Sequence, residues 1–208
     1  MMPLTRLYLI RHGQTDWNVR AALQGRTDIA LNDTGRAQAR EARALLQGVR
    51  FDAVYSSPLS RAVETAALVS GWERGAIQTD ERLTEIAFGP WEGCESRGLG
   101  PAFAPFFADP ANYRPPQGGE SLQSLMARTG AFAAEMLARH AGQTVLAASH
   151  GAALHALLTC ALRRPMSEFW AVNLDNCCVA VLESSGGPFH LKEVLGKADA
   201  GYAEKYLK

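Results

Sequence analysis

Leu7-Tyr8-Leu9-Ile10-Arg11-His12-Gly13 decides the fold. Four apolar residues closed by a glycine turn read as a buried strand that delivers its last residues to a loop. A second unit repeats the pattern: Val145-Leu146-Ala147-Ala148 is another buried-strand candidate, and Ser149-His150-Gly151 follows it before an apolar helix pattern. In open α/β sheets ligands bind outside the carboxyl ends of the strands. Two strands that each end in His-Gly therefore bring two histidines toward one pocket.

Outward from these units, strand and helix patterns alternate. Leu31 to Gly35 offers capping side chains for a helix through about Gln47, with Ala37, Ala42, Leu45 and Leu46 expected on its inner face. Phe51 to Tyr55 reads as the second strand. Ser57 and Pro58 read as N-cap and first residue of a helix that runs from about Leu59 to Ser70. Ile77 to Thr79 is a short third strand, a long helix starts at Gly119-Glu120-Ser121 and ends near His140, and Thr144 to Ala148 and Gly151 to Leu162 form the next strand and helix. Cys177 to Glu183 and His190 to Val194 read as a closing hairpin across Ser184-Ser185-Gly186-Gly187. The alternation predicts a three-layer α/β/α sandwich, with a mostly parallel sheet of about six strands and an antiparallel edge. A single domain is expected over residues 1–208, with about 82–120 as an irregular lid or insertion over the active site.

The 208 residues are 47% hydrophobic and 20% charged with a formal net charge of +0, an ordinary composition for a soluble domain. No broad attraction to nucleic acid or an anionic membrane is implied. All four lysines (Lys192, Lys197, Lys205, Lys208) lie near the C-terminus, which reads as composition bias. Cys94, Cys160, Cys177 and Cys178 match neither a zinc spacing nor a CxxC pair. They are expected as packed, reduced thiols, the adjacent pair pointing to opposite faces of a strand. No apolar run is long enough for a signal peptide or a membrane span, so a cytoplasmic enzyme is expected, with a homodimer as one possible assembly.

With parallel strands, Arg11-His12-Gly13, Ser57 to Arg61, Glu85 and His150-Gly151 converge at one sheet edge. Two arginines, two histidines and one carboxylate suit a phosphate monoester, whose oxygens guanidinium groups match bidentately. Helix N-termini after Ser57 and Gly151 are expected to add N–H donors. A neutral imidazole, kept unprotonated by neighbouring arginines, can attack phosphorus. A carboxylic acid can then protonate the leaving group and later deprotonate water. The set needs neither metal nor cofactor.

The run Leu9-Ile10-Arg11-His12-Gly13-Gln14-Thr15-Asp16-Trp17-Asn18 resembles the signature of the histidine phosphatase superfamily. The resemblance continues through Gln24-Gly25, Tyr55-Ser56-Ser57-Pro58-Leu59-Ser60-Arg61-Ala62, Leu83-Thr84-Glu85-Ile86, Phe88-Gly89-Pro90-Trp91-Glu92-Gly93, Gly118-Gly119-Glu120-Ser121 and Ser149-His150-Gly151. It implies His12 as the phosphorylated nucleophile and Glu85 as proton donor and acceptor, with Arg11, Arg61 and His150 on the phosphoryl oxygens. Asn18, Gln24, Gly25, Thr15 and the Gly151 N–H are implied as further phosphate or substrate contacts. Gln14 departs from the glutamate many relatives carry there.

Within that family only 64 positions lie between Glu85 and His150, which matches the compact phosphatase branch acting on small phosphorylated metabolites rather than the phosphoglycerate mutases. A mutase, or a regulatory module that recognises phosphorylated ligands without turning them over, are the alternatives. Blander readings stand for several residues: Ser57 either caps a helix or touches phosphate, and Thr15 either contacts phosphate or makes a local turn bond. His155 is expected in packing or at the surface, and Phe88 and Trp91 beneath the loop that carries Glu85. Phe103, Phe106 and Phe107, at i, i+3, i+4, form one apolar face that is either core or a lid over the leaving group.

Overall fold

The computed structural model describes residues 3–196, so Lys197, Lys205, Lys208 and the ends of the domain expected over 1–208 lie outside the described residues. Six strands form one sheet: β1 (Thr5–Arg11), β2 (Ala53–Ser56), β3 (Gln78–Thr79), β4 (Thr144–Ser149), β5 (Val179–Ser184) and β6 (His190–Leu195), in the order β3-β2-β4-β1-β5-β6. The first four run parallel, while β5 is antiparallel to β1 and β6 to β5. The expected mixed sheet with an antiparallel edge is therefore the one observed.

Side chains alternate along β1 as a two-residue period requires. Leu7 and Leu9 face α5 (Leu122–Arg139) and α6 (Gly151–Ala161), in a core shared with Phe132, Met136, Leu154 and Leu157. Tyr8 and Ile10 face α2 (Asp33–Leu45) and α3 (Ser60–Ser70), in a core shared with Ala39, Ala42, Ala66 and Val69. Helices thus cover both faces of the strands. A third apolar cluster, rich in aromatic rings, joins residues of the 86–113 region to Leu122, Leu125, Ala152 and Phe169.

Several local expectations need correction. The buried face of α2 is Gly35, Ala39 and Ala42, followed by Leu46; Ala37 is exposed and Leu45 is 56% exposed. Steps of four, three and four residues keep one helical stripe inward, and Ala37 and Leu45 fall off it. Helix α3 starts at Ser60 with Leu59 as its N-cap, and Ser57 does not cap it. The Asp28 carboxylate instead accepts from the N–H (2.9 Å) and hydroxyl (2.8 Å) of Ser60. Cys177 and Cys178 precede β5 rather than lying in it, Cys177 at φ 60°; they still enter the two opposite cores. All four cysteines carry free thiols.

Register places the chemistry. Arg11 pairs with Ser149 and Ser56 with Ala148, so His12, Ser57 and His150 each lie one residue beyond a parallel strand. The His12 N–H donates to the Ser149 carbonyl (2.9 Å) and the Ser57 N–H to that of Ala148 (2.9 Å). The turn after His12 depends on two glycines in backbone contact. A Cβ on Gly35 would collide with the backbone of Gln14, and one on Gly13 with the Gly35 carbonyl. Gly35→Ala is accordingly expected to destabilise the protein by roughly 1–3 kcal/mol, read as a lowered urea midpoint. An unchanged midpoint would show that the turn yields without loss.

Candidate active site

One pocket opens at the carboxyl ends of β1, β2 and β4, lined by Arg11, His12, Asn18, Gln24, Gly25, Arg61 and Glu85 on its polar side. His12 is 3% exposed and its Nδ1 lies 2.7 Å from the carbonyl oxygen of Gly13. A carbonyl only accepts, so Nδ1 carries the proton and Nε2 keeps its lone pair. Burial first, then the charges of Arg61 and Arg11, hold this imidazole well below the usual histidine range. The side-chain amide of Asn176 donates to the His12 carbonyl (2.8 Å) and fixes the backbone there.

Arg61 is fully buried. Its Nε donates to His150 Nδ1 (3.2 Å), and its two terminal nitrogens donate to the carbonyls of Thr27 (2.8 Å) and Gly25 (2.8 Å). Three of its five N–H groups are placed in this way, leaving two on the pocket side for an anion. Burial lowers its pKa to about 10, which leaves the group charged at neutral pH. Since His150 Nδ1 accepts from Arg61, its Nε2 bears the proton and donates to the Ser57 hydroxyl (2.8 Å). His150, expected on the phosphoryl oxygens, is instead fully buried and outside the pocket lining, its ring centroid 5.1 Å from that of His12, and burial again lowers its pKa well below the ordinary value. Ser57 thus reaches the site through His150, and its hydroxyl oxygen also accepts from the Leu59 N–H (3.3 Å). Arg11 donates to the Leu174 carbonyl (2.9 Å).

Glu85 is 8% exposed and occupies the amino end of α6. One oxygen, Oε1, accepts from the N–H groups of Ile86 (2.9 Å) and Ala153 (3.0 Å), and Oε2 accepts from Ala152 (3.2 Å). Burial raises its pKa, against the pull of these three N–H groups and of Arg61. With one bond against two, Oε2 is the oxygen placed to carry a proton. Both helix N-termini expected to receive phosphate are therefore occupied by carboxylates, α6 by Glu85 and α3 by Asp28.

The remaining expected contacts divide. Asn18 lines the pocket, and its Oδ1 is engaged by the Thr15 N–H (3.0 Å) and hydroxyl (3.1 Å), so its NH₂ end is the one left to a ligand. Thr15 itself is the N-cap of α1 (Asp16–Val19) and does not line the pocket; its hydroxyl makes the local bond. Gln24 reaches the pocket with a buried amide oxygen that has no protein partner, which a bound polar group would satisfy. Gly25 contributes its carbonyl to Arg61 at φ 52°, and a Cβ there would strike Glu92. Beside the site at α6, the wall residue is Ala152 rather than Gly151. His155 is buried packing, its ring between the carbonyls of Gly151 (2.7 Å) and Val172 (2.8 Å).

Two further residues position others: Arg128, which no motif marks, and Glu92, which lies in the motif from Phe88 to Gly93. Arg128 donates to the carbonyls of Arg82 (2.8 Å), Thr84 (2.6 Å) and Glu85 (3.1 Å) and pairs with Glu120 (2.8 Å), so it holds the segment that presents Glu85. Glu92 accepts from the N–H groups of Arg26, Thr27 and Phe88 and so fixes the loop whose carbonyls hold Arg61. Phe103, Phe106 and Phe107 are buried in the aromatic cluster, and Phe106 and Phe107 also line the pocket, so the same face is core and wall at once. Phe88 lines it too and shares the aromatic cluster with Ile86, and Trp91 packs on Phe103. Among the described residues no three His, Cys, Asp or Glu side chains group as a metal site.

The family model for the histidine phosphatase superfamily (branch 1) matches residues 7–195. The chain is 32% identical over 190 residues to an uncharacterized phosphatase, PhoE, of Bacillus subtilis, covering 91% of this chain and 94% of that one. It is 30% identical over 182 residues to phosphoserine phosphatase 1 of Hydrogenobacter thermophilus, covering 86% of each. The solved structure of Bacillus stearothermophilus YhfR superposes with a TM-score of 0.82 at 37% identity, covering 90% of this chain and 95% of that one.

Removing the Arg128 guanidinium should loosen the Glu85 segment and leave the arginine-histidine floor in place. Arg128→Ala is expected to slow alkyl phosphate ester hydrolysis by on the order of 10²-fold. Aryl phosphates, whose leaving groups need less protonation, should suffer less, with Arg128→Lys recovering part of the loss. Equal losses on both ester types, with weakened vanadate inhibition, would mean that Arg128 supports the whole pocket.

Proposed function

The chain belongs to the histidine phosphatase superfamily (branch 1), and from that premise we propose that it hydrolyses phosphate monoesters of small metabolites through a phosphohistidine on His12. The observation that carries this reading is the hydrogen bond from His12 Nδ1 to the Gly13 carbonyl, which leaves Nε2 unprotonated in a pocket shared with Arg11, Arg61 and Glu85. Nε2 attacks phosphorus, the ester P–O bond breaks, and Glu85 Oε2 delivers its proton to the departing alkoxide. Arg11 and Arg61 neutralise the charge that moves onto the phosphoryl oxygens, and the Asn18 amide donates a hydrogen bond to them. Glu85, now ionised, takes a proton from water while the water oxygen attacks phosphorus. The N–P bond breaks, phosphate leaves, and His12 and Glu85 return to their starting forms. His150 and Ser57 keep Arg61 oriented throughout.

On this account the guanidinium groups supply the charge neutralisation that a divalent ion supplies elsewhere, and turnover needs no metal. Full activity is expected in excess chelator; loss on chelation with rescue by magnesium would overturn that part. His12→Ala should abolish labelling by radioactive ester, and the wild-type label should be acid-labile and base-stable, as a phosphoramidate is. An acid-stable label would place the intermediate on another residue. Conversion of 3-phosphoglycerate to its isomer without phosphate release would make the protein a mutase, and tight ligand binding without turnover a recognition module.

The two shifted groups set the pH profile. His12 must be neutral to attack, and burial and the arginines hold its pKa low, so the rate rises with pH only on the acid side. Glu85 must carry a proton, and burial raises its pKa, so the rate on alkyl esters falls as pH climbs through that raised value. Glu85→Gln is expected to slow alkyl phosphates by ~10²–10⁴-fold and to remove the basic limb. Retention of that limb would assign it to a different group.

A further inference from the structure

The pocket is divided by chemistry. Its floor holds the charged and amide groups named above, and its outer wall is Ala22, Leu23, Phe88, Phe106, Phe107 and Ala152. Among the described residues that line it, the cations are Arg11 and Arg61, both on the floor. Arg61 is tied to His150, Gly25 and Thr27, and Arg11 donates to Leu174. Arg26, next in the chain to the pocket-lining Gly25, turns to Glu120 at 3.4 Å. The remaining charged group of the lining is the Glu85 carboxyl, which repels anions whenever it is ionised.

The aromatic wall is also firmly held. Phe106 stacks on Phe103 with centroids 5.0 Å apart and meets Tyr113 edge-on at 5.0 Å. Trp170 donates its indole N–H to the Phe106 carbonyl (2.8 Å) and packs on Phe107 at 4.9 Å. The turn that carries both rings, α4 (Pro105–Ala108), starts at a proline and is anchored from behind. The space between floor and wall is about 430 Å³ and opens to solvent, so a phosphoryl group on the floor leaves room for its alcohol beside the rings. The ester's alcohol leaves the floor along the wall that Phe88, Phe106 and Phe107 form. A second carboxylate or phosphate laid there would be desolvated with no cation to receive it.

We propose that the substrates are phosphate monoesters of uncharged, apolar alcohols, selected by the Phe88, Phe106 and Phe107 wall, and that esters carrying a second anion are excluded. This rests on the phosphatase reading above and adds to it the class of leaving group. An apolar contact of this kind is worth a modest factor per group, whereas an unpaired buried charge is rejected strongly.

The test compares primary alkyl phosphates, so that leaving-group chemistry is similar: benzyl phosphate and n-hexyl phosphate against O-phosphoserine and 3-phosphoglycerate, by phosphate release from the full chain. Benzyl and hexyl phosphates should show kcat/KM higher by roughly 10- to 100-fold, with the difference largely in KM. Phe107→Arg, which sets a cation into the wall, should narrow or reverse that ratio while vanadate inhibition changes little. If wild-type protein hydrolyses phosphoserine or 3-phosphoglycerate as well as benzyl phosphate, the substrate class is wrong and the phosphatase reading stands. If no ester releases phosphate and His12 takes no label, both fall together. The wild-type comparison decides the matter even if the Phe107 variant does not fold.

Discussion

A fully buried guanidinium is the constraint around which the site is assembled. Burying the charge of Arg61 without partners would be prohibitive, and its acceptors come from separate parts of the chain: His150 after β4, and Gly25 and Thr27 in the loop ahead of α2. None is in place until the sheet is paired and that loop is closed, so satisfying Arg61 requires the finished fold. The loop is fixed in turn by Glu92, which gathers N–H groups from Arg26, Thr27 and Phe88. Once formed, the charge acts on its neighbours. Second to burial, it lowers the pKa of His12 and His150, and its Nε–H on His150 Nδ1 leaves the proton of that ring on Nε2. A single arginine thereby adds to burial at both imidazoles.

The positive ends of the helices are used differently from their usual pairing with phosphate. Asp28 closes the amino end of α3 and Glu85 that of α6. For Glu85 the arrangement balances two opposing effects. Burial favours the protonated acid, while three N–H groups and Arg61 favour the carboxylate. The proton donor and acceptor proposed for Glu85 would be served by such a balance. Held by the backbone N–H groups of α6, and with its own carbonyl bonded by Arg128, the side chain needs no rearrangement between the two steps.

Much of this was legible in the sequence because it depends on short-range pattern. Strand ends marked by Arg-His-Gly and Ser-His-Gly, the order of strands and helices, and the identities of His12, Arg61, Glu85 and His150 follow from local motifs. Thr15 stayed open between a phosphate contact and a local bond because the usual capping-box signature carries Glu or Gln at its third helical position, and here Asn18 takes that place, so that Thr15 orients Asn18. What could not be read were contacts between side chains and distant backbone carbonyls. Arg128 and Asn176 act on carbonyls 43 and 164 positions away, and a carbonyl is present at every residue, so sequence offers nothing to match. Ser57 was misread because the pair Ser-Pro suits a helix start, and the competing partner, His150, lies 93 positions away.

Floor and wall are anchored by different forces, and this bears on how one scaffold serves different esters. The floor stands at the ends of β1, β2 and β4, where strand register leaves no freedom: a slip of one residue would turn His12 and His150 to the wrong faces. The aromatic part of the wall, Phe88, Phe106 and Phe107, is held mainly by ring packing, with an indole N–H bond to the Phe106 carbonyl and the Phe88 N–H on Glu92, and none of it lies in the sheet. Aromatic packing tolerates volume-conserving exchange, whereas hydrogen-bonded charge does not. Substitutions in the wall can therefore alter which alcohol is accepted while the phosphoryl site keeps its geometry. Relatives that share the motifs of the floor can differ in substrate for that reason, and the residues to compare among them are those at positions 88, 106 and 107 rather than the histidines.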